Sequence, residues 1–431
     1  MSSTEDRTTS TGAAATPTAG ATAYHLRPRA GWLNDPNGMV FHEGRWHVFF
    51  QHNPDGPWHR QIAWGHASSE DLVIWREHPV AFAPTPDGPD SYGCWSGVFV
   101  PGLERPAVVY SGVVGPDHTS TVCLRWGGGE GLDDWSAPLV VATTPEVDDV
   151  AVMRDPFVVE HAGHRYAVLG AGLRDGTPAI LLFGCDDIED WDYLGVWLTG
   201  RDEVLADALP ADVWECPQLA VHGDRATLVL SLHDRGVLGQ VVGCTGSFDA
   251  DPEGRPRLQP ERVDLLDEGS DFYAPQLAPD GREGWWLMGW VREDGTEEPG
   301  RDHAGCLALS RRLVQDCDGS RLVLDPAVPA ALRTSLPSAP ARRVPLRGQL
   351  MLEVGVKGGA LRHAALGERS LSEGARVFVD GAVVEILPAS GAPATFRHPA
   401  PWSWEGQALI SEVRTSSRAP RSGRAAPPAA G

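Results

Sequence analysis

Three carboxylic acids recur at a regular interval along this 431-residue chain. Asp35 and Asp155 are 120 residues apart, and Glu215 follows Asp155 after another 60 residues. Each acid stands one or two residues before a proline and close to the start of an apolar run. A single acid in such a place is usually a solvated turn residue, but like charges held together need a purpose. Paired carboxylates cleave glycosidic bonds, so the pattern indicates glycoside hydrolysis.

The segments between these acids predict the framework that would bring them together. Short runs rich in Val, Phe, Trp and Leu are broken by Gly, Pro and Asp turns, which indicates strands. No long segment keeps the apolar period of a helix. The runs form five groups of at least three, whose starts are 56, 62, 61 and 58 residues apart. The groups begin near Met39, Trp95, Phe157, Gln218 and Gln276.

This repeat predicts an all-β protein built on a five-bladed β-propeller; an irregular all-β sandwich is the alternative. The first strand of each propeller blade lines the central channel, so the residues that open these strands face one funnel. Three of the five opening segments carry a carboxylate, and the three acids are therefore expected to meet at the axis.

The chain divides into five predicted segments. Residues 1–22, rich in Ser, Thr, Ala and Gly, are expected to be disordered, and the propeller to occupy 23–323. The proline-containing segment 324–343 is typical of a linker. Residues 344–414 predict a small β-sandwich-like module, shortened against the roughly 100 residues of a familiar two-sheet sandwich, and expected to pack on the propeller. Residues 415–431 predict a disordered tail.

Composition narrows the partners and the compartment. The 36 Lys and Arg against 58 Asp and Glu give a net charge of −22, which argues against nucleic acid and anionic membranes. The charge is mildly unfavourable for a phosphorylated substrate, although a local basic pocket could override it. Seven cysteines are scattered singly, as in reducing compartments. Residues 1–22 lack the apolar core of a signal peptide, and no apolar run approaches a membrane span. The expectation is a cytoplasmic protein with a small-molecule or oligosaccharide substrate.

Histidines 42, 47, 52, 59 and 66 lie close together in the sequence. They lack the H-E-x-x-H and the Cys-paired spacings of metal sites, and several fall on alternating strand positions. Loop and core histidines explain them, so neither a metal nor another cofactor is expected.

The residues around the acids resemble glycoside hydrolase family 32, the invertases, inulinases and levanases. The family's W-(M/L)-N-D-P-N-G motif corresponds to WLNDPNG at 32–38, preceded by HLRP at 25–28. Further matches follow in the family's order: FFQHNP (49–54), WGHASSEDLVIW (64–75), HPVAF (78–82), CWSG (94–97), RDP (154–156), EC (215–216) and FYAPQ (272–276). VFVDGAVVEIL (377–387) is weakly similar to the family's C-terminal FVD-R-S-S-V-E-V-F strand pair.

The resemblance implies a role for each acid. Asp35 would be the nucleophile, Glu215 the general acid/base and Asp155 a transition-state stabiliser, in a retaining hydrolase that forms a covalent fructosyl-enzyme. Such chemistry needs the two working acids to have separated pKa values. We expect hydrogen-bond donors to keep Asp35 ionised, burial and the neighbouring acids to raise the pKa of Glu215, and Arg154 to keep the adjacent Asp155 ionised.

The same resemblance implies a fructose-binding pocket. Its expected substrate-binding residues are Asn34, Gln51, Trp58, Trp95, Ser96, Arg154, Tyr273 and Trp290. A Trp can equally belong to a blade core. The sequence favours the pocket for Trp58 and Trp95, which lie in loop or strand-opening sequence, and leaves Trp290 undecided. The family usually has Phe where Trp95 stands, so a bulkier pocket wall is expected.

Several activities fit these residues. Hydrolysis of terminal β-D-fructofuranosyl bonds in sucrose or short fructo-oligosaccharides leads. Fructan hydrolysis, as in inulinases and levanases, sucrose-6-phosphate hydrolysis and fructosyl transfer are alternatives that differ in the leaving group or the acceptor. An arabinan-cleaving propeller would not need WLNDPNG. A sugar-binding propeller without activity would not need to keep all three acids.

Overall fold

The computed structural model describes residues 24–129, 131–208, 210–295, 301–316, 319–334 and 343–413. The two segments predicted to be disordered, 1–22 and 415–431, lie outside these residues. The described secondary structure is almost entirely strand; its helices are a 3-10 turn at Leu205–Ala208 and α1 at Ala327–Leu332. Within the described ranges no helix has the length and apolar character needed to cross a membrane.

Five antiparallel sheets follow one another along the chain and form the predicted propeller. The first and second blades contain β1 (Gly31–His42), β2 (Arg45–Asn53), β3 (Ala63–Ser69), β4 (Trp75–Glu77), β5 (Gly93–Phe99), β6 (Ala107–Val113), β7 (Ser120–Gly128), β8 (Asp134–Trp135) and β9 (Leu139–Thr143). The third and fourth contain β10 (Val150–His161), β11 (His164–Leu173), β12 (Pro178–Gly184), β13 (Asp192–Thr199), β14 (Val213–His222), β15 (Arg225–Asp234), β16 (Val237–Ala250) and β17 (Pro256–Leu265). The last contributes β18 (Phe272–Pro279), β19 (Trp285–Val291), β20 (His303–Ala304), β21 (Cys306–Leu307), β22 (Arg311–Asp316) and β23 (Gly319–Leu324).

The second strand of a blade is buried on both faces by the adjacent blades. Every residue of β6 is buried, as are eight of the nine residues of β2. These strands therefore appear in the sequence as nearly continuous apolar runs, without the alternation of a half-exposed strand. The outermost strands are less regular, which is why the sequence predicts three strands per blade more readily than four.

A short strand from the end of the propeller closes the ring. β20 pairs in parallel with β1, through Gly31 with His303 and Trp32 with Ala304. Gly305 follows with a φ of +82°, and a Cβ there would lie 1.8 Å from the Leu33 carbonyl oxygen. Only glycine allows this approach, so the closure depends on that residue.

The innermost strand of every blade is interrupted near its start by a β-bulge. The bulges fall between Leu33 and Pro36, Cys94 and Gly97, Arg154 and Phe157, Glu215 and Gln218, and Tyr273 and Gln276. A bulge leaves backbone groups unpaired and turns side chains out of the pleat. At or near each bulge a backbone N–H donates to the adjacent blade: Gly38 to Gln276, Gly97 to Asn37, Asp155 to Ser111, Cys216 to Asp155 and Ala274 to Ser231. These five bonds link the blades around the axis, and we call them the inter-blade ring.

The C-terminal module is a seven-stranded sheet that is folded over its own core. Its strands are β24 (Arg343–Leu346), β25 (Gln349–His363), β26 (Gly367–Leu371), β27 (Arg376–Asp380), β28 (Val383–Leu387), β29 (Ala394–Arg397) and β30 (Trp402–Glu412). A register shift between Val354 and Gly359 interrupts β25, which pairs with β27 before the shift and with β26 after it. The result is the predicted sandwich-like module.

Part of the segment predicted as a linker is a packed helix. In α1, Val328 and Leu332 are buried in one cluster with Met351 and Phe378 of the module. Pro329 lies in the first turn, where a missing N–H costs nothing because that donor has no partner in the helix. The prolines of this segment predict an extended linker, but a proline in the first turn is compatible with a short helix.

A buried ionic network joins the module to the propeller. Both ring nitrogens of His25 contact carboxylates of the module: Nδ1 lies 2.9 Å from Asp380 and Nε2 lies 2.8 Å from Glu385. Arg311 of the last blade donates to Glu385 and to Asp267, each at 2.7 Å. All these charged side chains are at most 1% exposed. The HLRP and VFVDGAVVEIL segments of the sequence meet here.

This network predicts a loss of stability at alkaline pH. Burial opposes the charge on His25, but its bonds to Asp380 and Glu385 prevail and raise the pKa of His25 to about 9. The stabilisation is complete below the unfolded pKa of about 6.5 and is lost as the pH rises through about 9. Urea unfolding should show that the native chain loses up to about 3 kcal/mol more than His25→Gln between pH 6.5 and 9.5. Parallel losses in both proteins would contradict this.

Candidate active site

The strand bulges direct the three predicted acids into one cavity. The cavity, about 680 Å³ in volume, opens at the end of the propeller where the innermost strands begin, and Asp35, Asp155 and Glu215 all line it. Its volume is in the range of small-ligand pockets, about 300–1,000 Å³. Asp155 and the adjoining Cys216 have left-handed φ angles of 61° and 47°. Such a conformation is unfavourable for these residues and persists only where the surroundings enforce it.

Asp35 is buried and held by three side-chain donors. Asn34 Nδ2 and Gln51 Nε2 each donate at 3.0 Å, and Ser96 Oγ donates at 2.5 Å. Burial nevertheless raises the pKa of Asp35 to about 6, although the bonds from Ser96 and Asn34 act in the opposite direction. The predicted donors are present and favour the ionised form, but in the free site burial outweighs them.

Asp155 is tied to the inter-blade ring. Its carboxylate accepts the Cys216 N–H at 3.0 Å, and its own N–H donates to Ser111 Oγ at 2.7 Å. The Cys216 thiol also lies 3.5 Å from Asp155 Oδ2 and 3.7 Å from Asp35 Oδ2, so it contacts both carboxylates. Burial raises the pKa of Asp155 to about 7, opposed by the charge of Arg154 and reinforced by that of Glu215.

Glu215 is the carboxylate that forms an ion pair with Arg154. Arg154 contacts Glu215 Oε1 through Nε at 2.9 Å and Nη2 at 2.8 Å, and the Tyr273 hydroxyl donates to Oε2 at 2.6 Å. Burial alone would raise the pKa of Glu215, but the charges of Arg154 and His233 and the bond from Tyr273 hold it below its ordinary value.

One electrostatic prediction was therefore wrong, because the pKa of Glu215 is lowered. The charge of Arg154 does lower the pKa of Asp155 as expected, but burial outweighs it, and the ion pair of Arg154 is with Glu215. Arg154 and Asp155 both line the cavity, but at the bulge that begins at Arg154 the two side chains have different partners: Arg154 binds Glu215, and Asp155 accepts the Cys216 N–H. Arg154 thus reaches the adjacent blade. This contact joins residues 61 positions apart and cannot be read from adjacency in the sequence.

Aromatic rings form one wall of the cavity. The ring centroids of Trp290 and Trp32 lie 5.7 Å apart, those of Trp32 and His59 6.2 Å, and those of His59 and Trp95 5.6 Å, all edge to face. His118 extends the series, 4.8 Å from Trp95. Flat apolar faces of this kind suit the C–H faces of a sugar ring.

Most of the predicted pocket residues line the cavity. Those that do are Asn34, Gln51, Trp95, Ser96, Arg154, Tyr273 and Trp290. Trp58 does not; its ring lies against Gly56, where an added Cβ would come within 2.1 Å of it. Asn53 Nδ2 binds the Trp58 carbonyl oxygen at 3.0 Å, which fixes the loop so that the next residue, His59, faces the cavity instead.

Sequence reasoning missed several residues of the wall: Trp32, His59, Asp117, His118, Arg174, Asp212 and His233. A topological signal was available for some of them. The hairpin loop after the second strand of a blade lies at the same end as the start of the first strand, and it carries Asp117 and His118 in one blade and Arg174 in the next. No group of three His, Cys, Asp or Glu side chains in the described ranges could hold a metal ion.

Comparison with known proteins agrees with this arrangement. The model of the "Glycosyl hydrolases family 32 N-terminal domain" matches residues 25–326. The chain belongs to glycosyl hydrolase family 32. The family 32 match extends from the HLRP segment through β23 and so includes all three acids.

Two curated relatives within family 32 come from Escherichia coli. A sucrose-6-phosphate hydrolase is 32% identical over 318 residues, which are 67% of this chain and 61% of that protein. A raffinose invertase is 31% identical over 412 residues, 84% of this chain and 78% of that relative. The chain thus spans about three fifths of the length of the sucrose-6-phosphate hydrolase.

Solved family 32 structures share the fold. The Bombyx mori β-fructofuranosidase has a TM-score of 0.74 at 20% identity and covers 93% of this chain and 95% of its own. The sucrose-6-phosphate hydrolase from Lactobacillus gasseri has a TM-score of 0.75 at 21% identity, and its alignment covers 92% of this chain and 94% of the Lactobacillus gasseri chain. Both alignments extend beyond the propeller into the C-terminal module.

The ion pair predicts how Glu215 responds to the loss of its partner. Arg154→Leu removes the largest of the influences that lower the pKa of Glu215, so this pKa should rise, because burial is then opposed only by the charge of His233 and the bond from Tyr273. A ¹³C-carboxyl NMR titration, with the signal assigned through Glu215→Gln, measures the shift. Arg257→Leu, which breaks an exposed pair with Asp249, is the control and should leave the signal unchanged. An unaltered pKa in Arg154→Leu would contradict the assignment.

Proposed function

We propose that the protein is a retaining β-fructofuranosidase that hydrolyses terminal β-D-fructofuranosyl bonds through a covalent fructosyl-enzyme. The observation that carries the proposal is the convergence of Asp35, Asp155 and Glu215 in one cavity beside an aromatic wall. Membership of family 32 supports the same chemistry. A sugar-binding propeller would have no use for three buried acids whose proximity is costly.

In the first step an Asp35 oxygen attacks the anomeric carbon of the fructosyl group as the bond to the bridging oxygen breaks. Glu215 gives its proton to that oxygen, and the leaving sugar departs. In the second step Glu215 takes a proton from water, the water oxygen attacks the anomeric carbon, and the bond to Asp35 breaks. Asp155 stabilises both transition states through the fructose hydroxyls.

The free site must be rearranged before Glu215 can act as an acid. With pKa values of about 6 for Asp35 and about 7 for Asp155, and a lowered pKa for Glu215, the three acids together hold less than one proton on average at pH 7. That proton resides mainly on Asp155, in a coupled system. We propose that a bound sugar excludes water from Glu215 and engages Asp155, so that the shared proton moves to Glu215. Asp35, held by its three donors, is then the ionised nucleophile.

The choice of substrate rests on the relatives and on the cavity. The curated E. coli relatives are named for sucrose 6-phosphate and raffinose. A solved Bombyx mori β-fructofuranosidase holds sucrose, and a Cichorium intybus fructan exohydrolase holds 1-kestose. Sucrose and short fructo-oligosaccharides remain the proposed substrates, with water as the acceptor. The six described cysteines are buried and unpaired with each other, which supports a reducing compartment such as the cytoplasm.

Two substitutions separate the proposed roles. Asp35→Asn keeps the shape but removes the nucleophile, so it should abolish turnover of every fructoside. Glu215→Gln removes only proton transfer, so it should slow sucrose hydrolysis by about 10²–10⁴-fold. The loss of rate in the first step, formation of the fructosyl-enzyme, should be smaller with an aryl β-fructoside, because its leaving group needs no proton. The burst of phenolate measures the rate of this step. Asp249→Asn, at an exposed ion pair outside the cavity, is the matched control. Substantial activity in Asp35→Asn, or an equal first-step loss on both substrates in Glu215→Gln, would contradict the roles.

A further inference from the structure

Two titratable side chains on the cavity wall are not committed to a hydrogen bond or an ion pair within the described ranges. Arg154, Glu215, Gln51 and Tyr273 are all engaged in hydrogen bonds within the site. By contrast, the side chains of Arg174 and His118 line the cavity without a hydrogen bond or an ion pair to any part of the chain that the structure describes. A guanidinium left unpaired in a protein of net charge −22 is available to a ligand.

The position of Arg174 relates it to the leaving group. Gly170 pairs with Arg154 at the bulge, and Arg174 lies four residues further along, just after the end of β11. Four residues of extended chain place its backbone about 13 Å outward from the bulge. From there the arginine side chain can extend back towards the acids over part of this distance. Arg174 is therefore positioned for the part of a substrate that extends from the acids towards the mouth.

His118 has a corresponding place on the aromatic wall. It lies in the loop between β6 and β7 with a left-handed φ of 59°, and its ring meets Trp95 edge to face. Trp95 is next to Ser96, which binds Asp35. The His118 ring thus continues the aromatic wall outward, beyond the residues that surround the nucleophile.

The charges around this outer wall disfavour an anion. Asp117 and Asp212 line the same cavity as the three acids, so five carboxylates face two guanidiniums; Asp212 is also in contact with the His233 ring at 3.1 Å, whereas Asp117 has no ion-pair partner in the part of the chain that the structure describes. The guanidinium of Arg154 is already bound to Glu215. Arg174 alone would have to offset the repulsion that a phosphate dianion meets, whereas its donors can bind neutral hydroxyls without that cost.

We infer that Arg174 and His118 form the leaving-group subsite and that this subsite takes an uncharged hexose in preference to a hexose phosphate. The inference rests on the proposed function and names its substrate class. It separates the chain from what the names of several of its relatives suggest, because sucrose would be preferred to sucrose 6-phosphate.

The direct test compares kcat/KM for sucrose and sucrose 6-phosphate in 20 mM and 500 mM NaCl. At low salt sucrose should be preferred by about tenfold or more, and the difference should narrow at high salt because salt screens the repulsion of the phosphate. Equal or better hydrolysis of sucrose 6-phosphate, or a preference that salt leaves unchanged, would overturn the inference. Release of no fructose from either compound would instead refute the proposed function itself.

Variants of the wall identify the residues responsible. Arg174→Gln should raise KM for sucrose about 10–100-fold, the value of one hydrogen bond to a charged donor. Asp117→Asn removes one repelling charge and should raise the ratio of kcat/KM for sucrose 6-phosphate to that for sucrose by about two- to fivefold. Asp249→Asn is the control: it removes the same charge at the far end of β16, away from the cavity, and should leave this ratio of kcat/KM values unaltered. A KM for sucrose unaffected by Arg174→Gln, or a ratio shifted equally by both aspartate variants, would count against the assignment.

Discussion

The inter-blade ring is the constraint on which the rest of this molecule depends. A bulge near the start of each innermost strand interrupts the ladder, and backbone N–H groups there must find other partners because they are buried. They find them on the adjacent blade: Gly97 binds Asn37, and Gly38 binds Gln276, which connects the first blade to the last. The same interruptions direct side chains to the axis. Closure of the propeller and convergence of the acids therefore have one structural cause.

Asp155 shows how closely architecture and chemistry are connected. Its N–H and its carboxylate both belong to the inter-blade ring, through Ser111 and Cys216. The charges of Glu215 and Asp35 both raise the pKa of this carboxylate. Arg154 offsets the accumulated negative charge by pairing with Glu215 across two blades. The electrostatics of the site are therefore a property of the closed ring and of no single blade.

The sequence was sufficient for the architecture and for the convergence of the three acids in one cavity. A spacing of about 60 residues predicted the five blades, because each blade repeats the same order of buried strands. It was insufficient wherever a contact crosses from one blade or module to another. The ion pair of Arg154 with Glu215 was not predicted, and Trp58 was expected in a wall that His59 occupies.

The C-terminal contacts illustrate the same limit. The segments around His25 and around Asp380 and Glu385 were both noticed as motifs, but nothing in either segment indicates that they meet across more than 350 residues. Their pairing becomes visible only in the fold, where it buries charge between the propeller and the module. In the segment before the module, the prolines indicate a linker, whereas the spacing of the apolar residues Val328 and Leu332 is that of the packed helix α1.

The central claim is that Asp35 attacks the fructosyl group directly, within a cavity that the inter-blade ring assembles. The anomeric configuration of the first-formed product tests it most directly. Sucrose hydrolysis followed by NMR, with spectra taken before mutarotation, should show β-fructofuranose first, because two displacements at the same carbon retain configuration. Initial release of the α-anomer would mean a single displacement by water and would contradict the account.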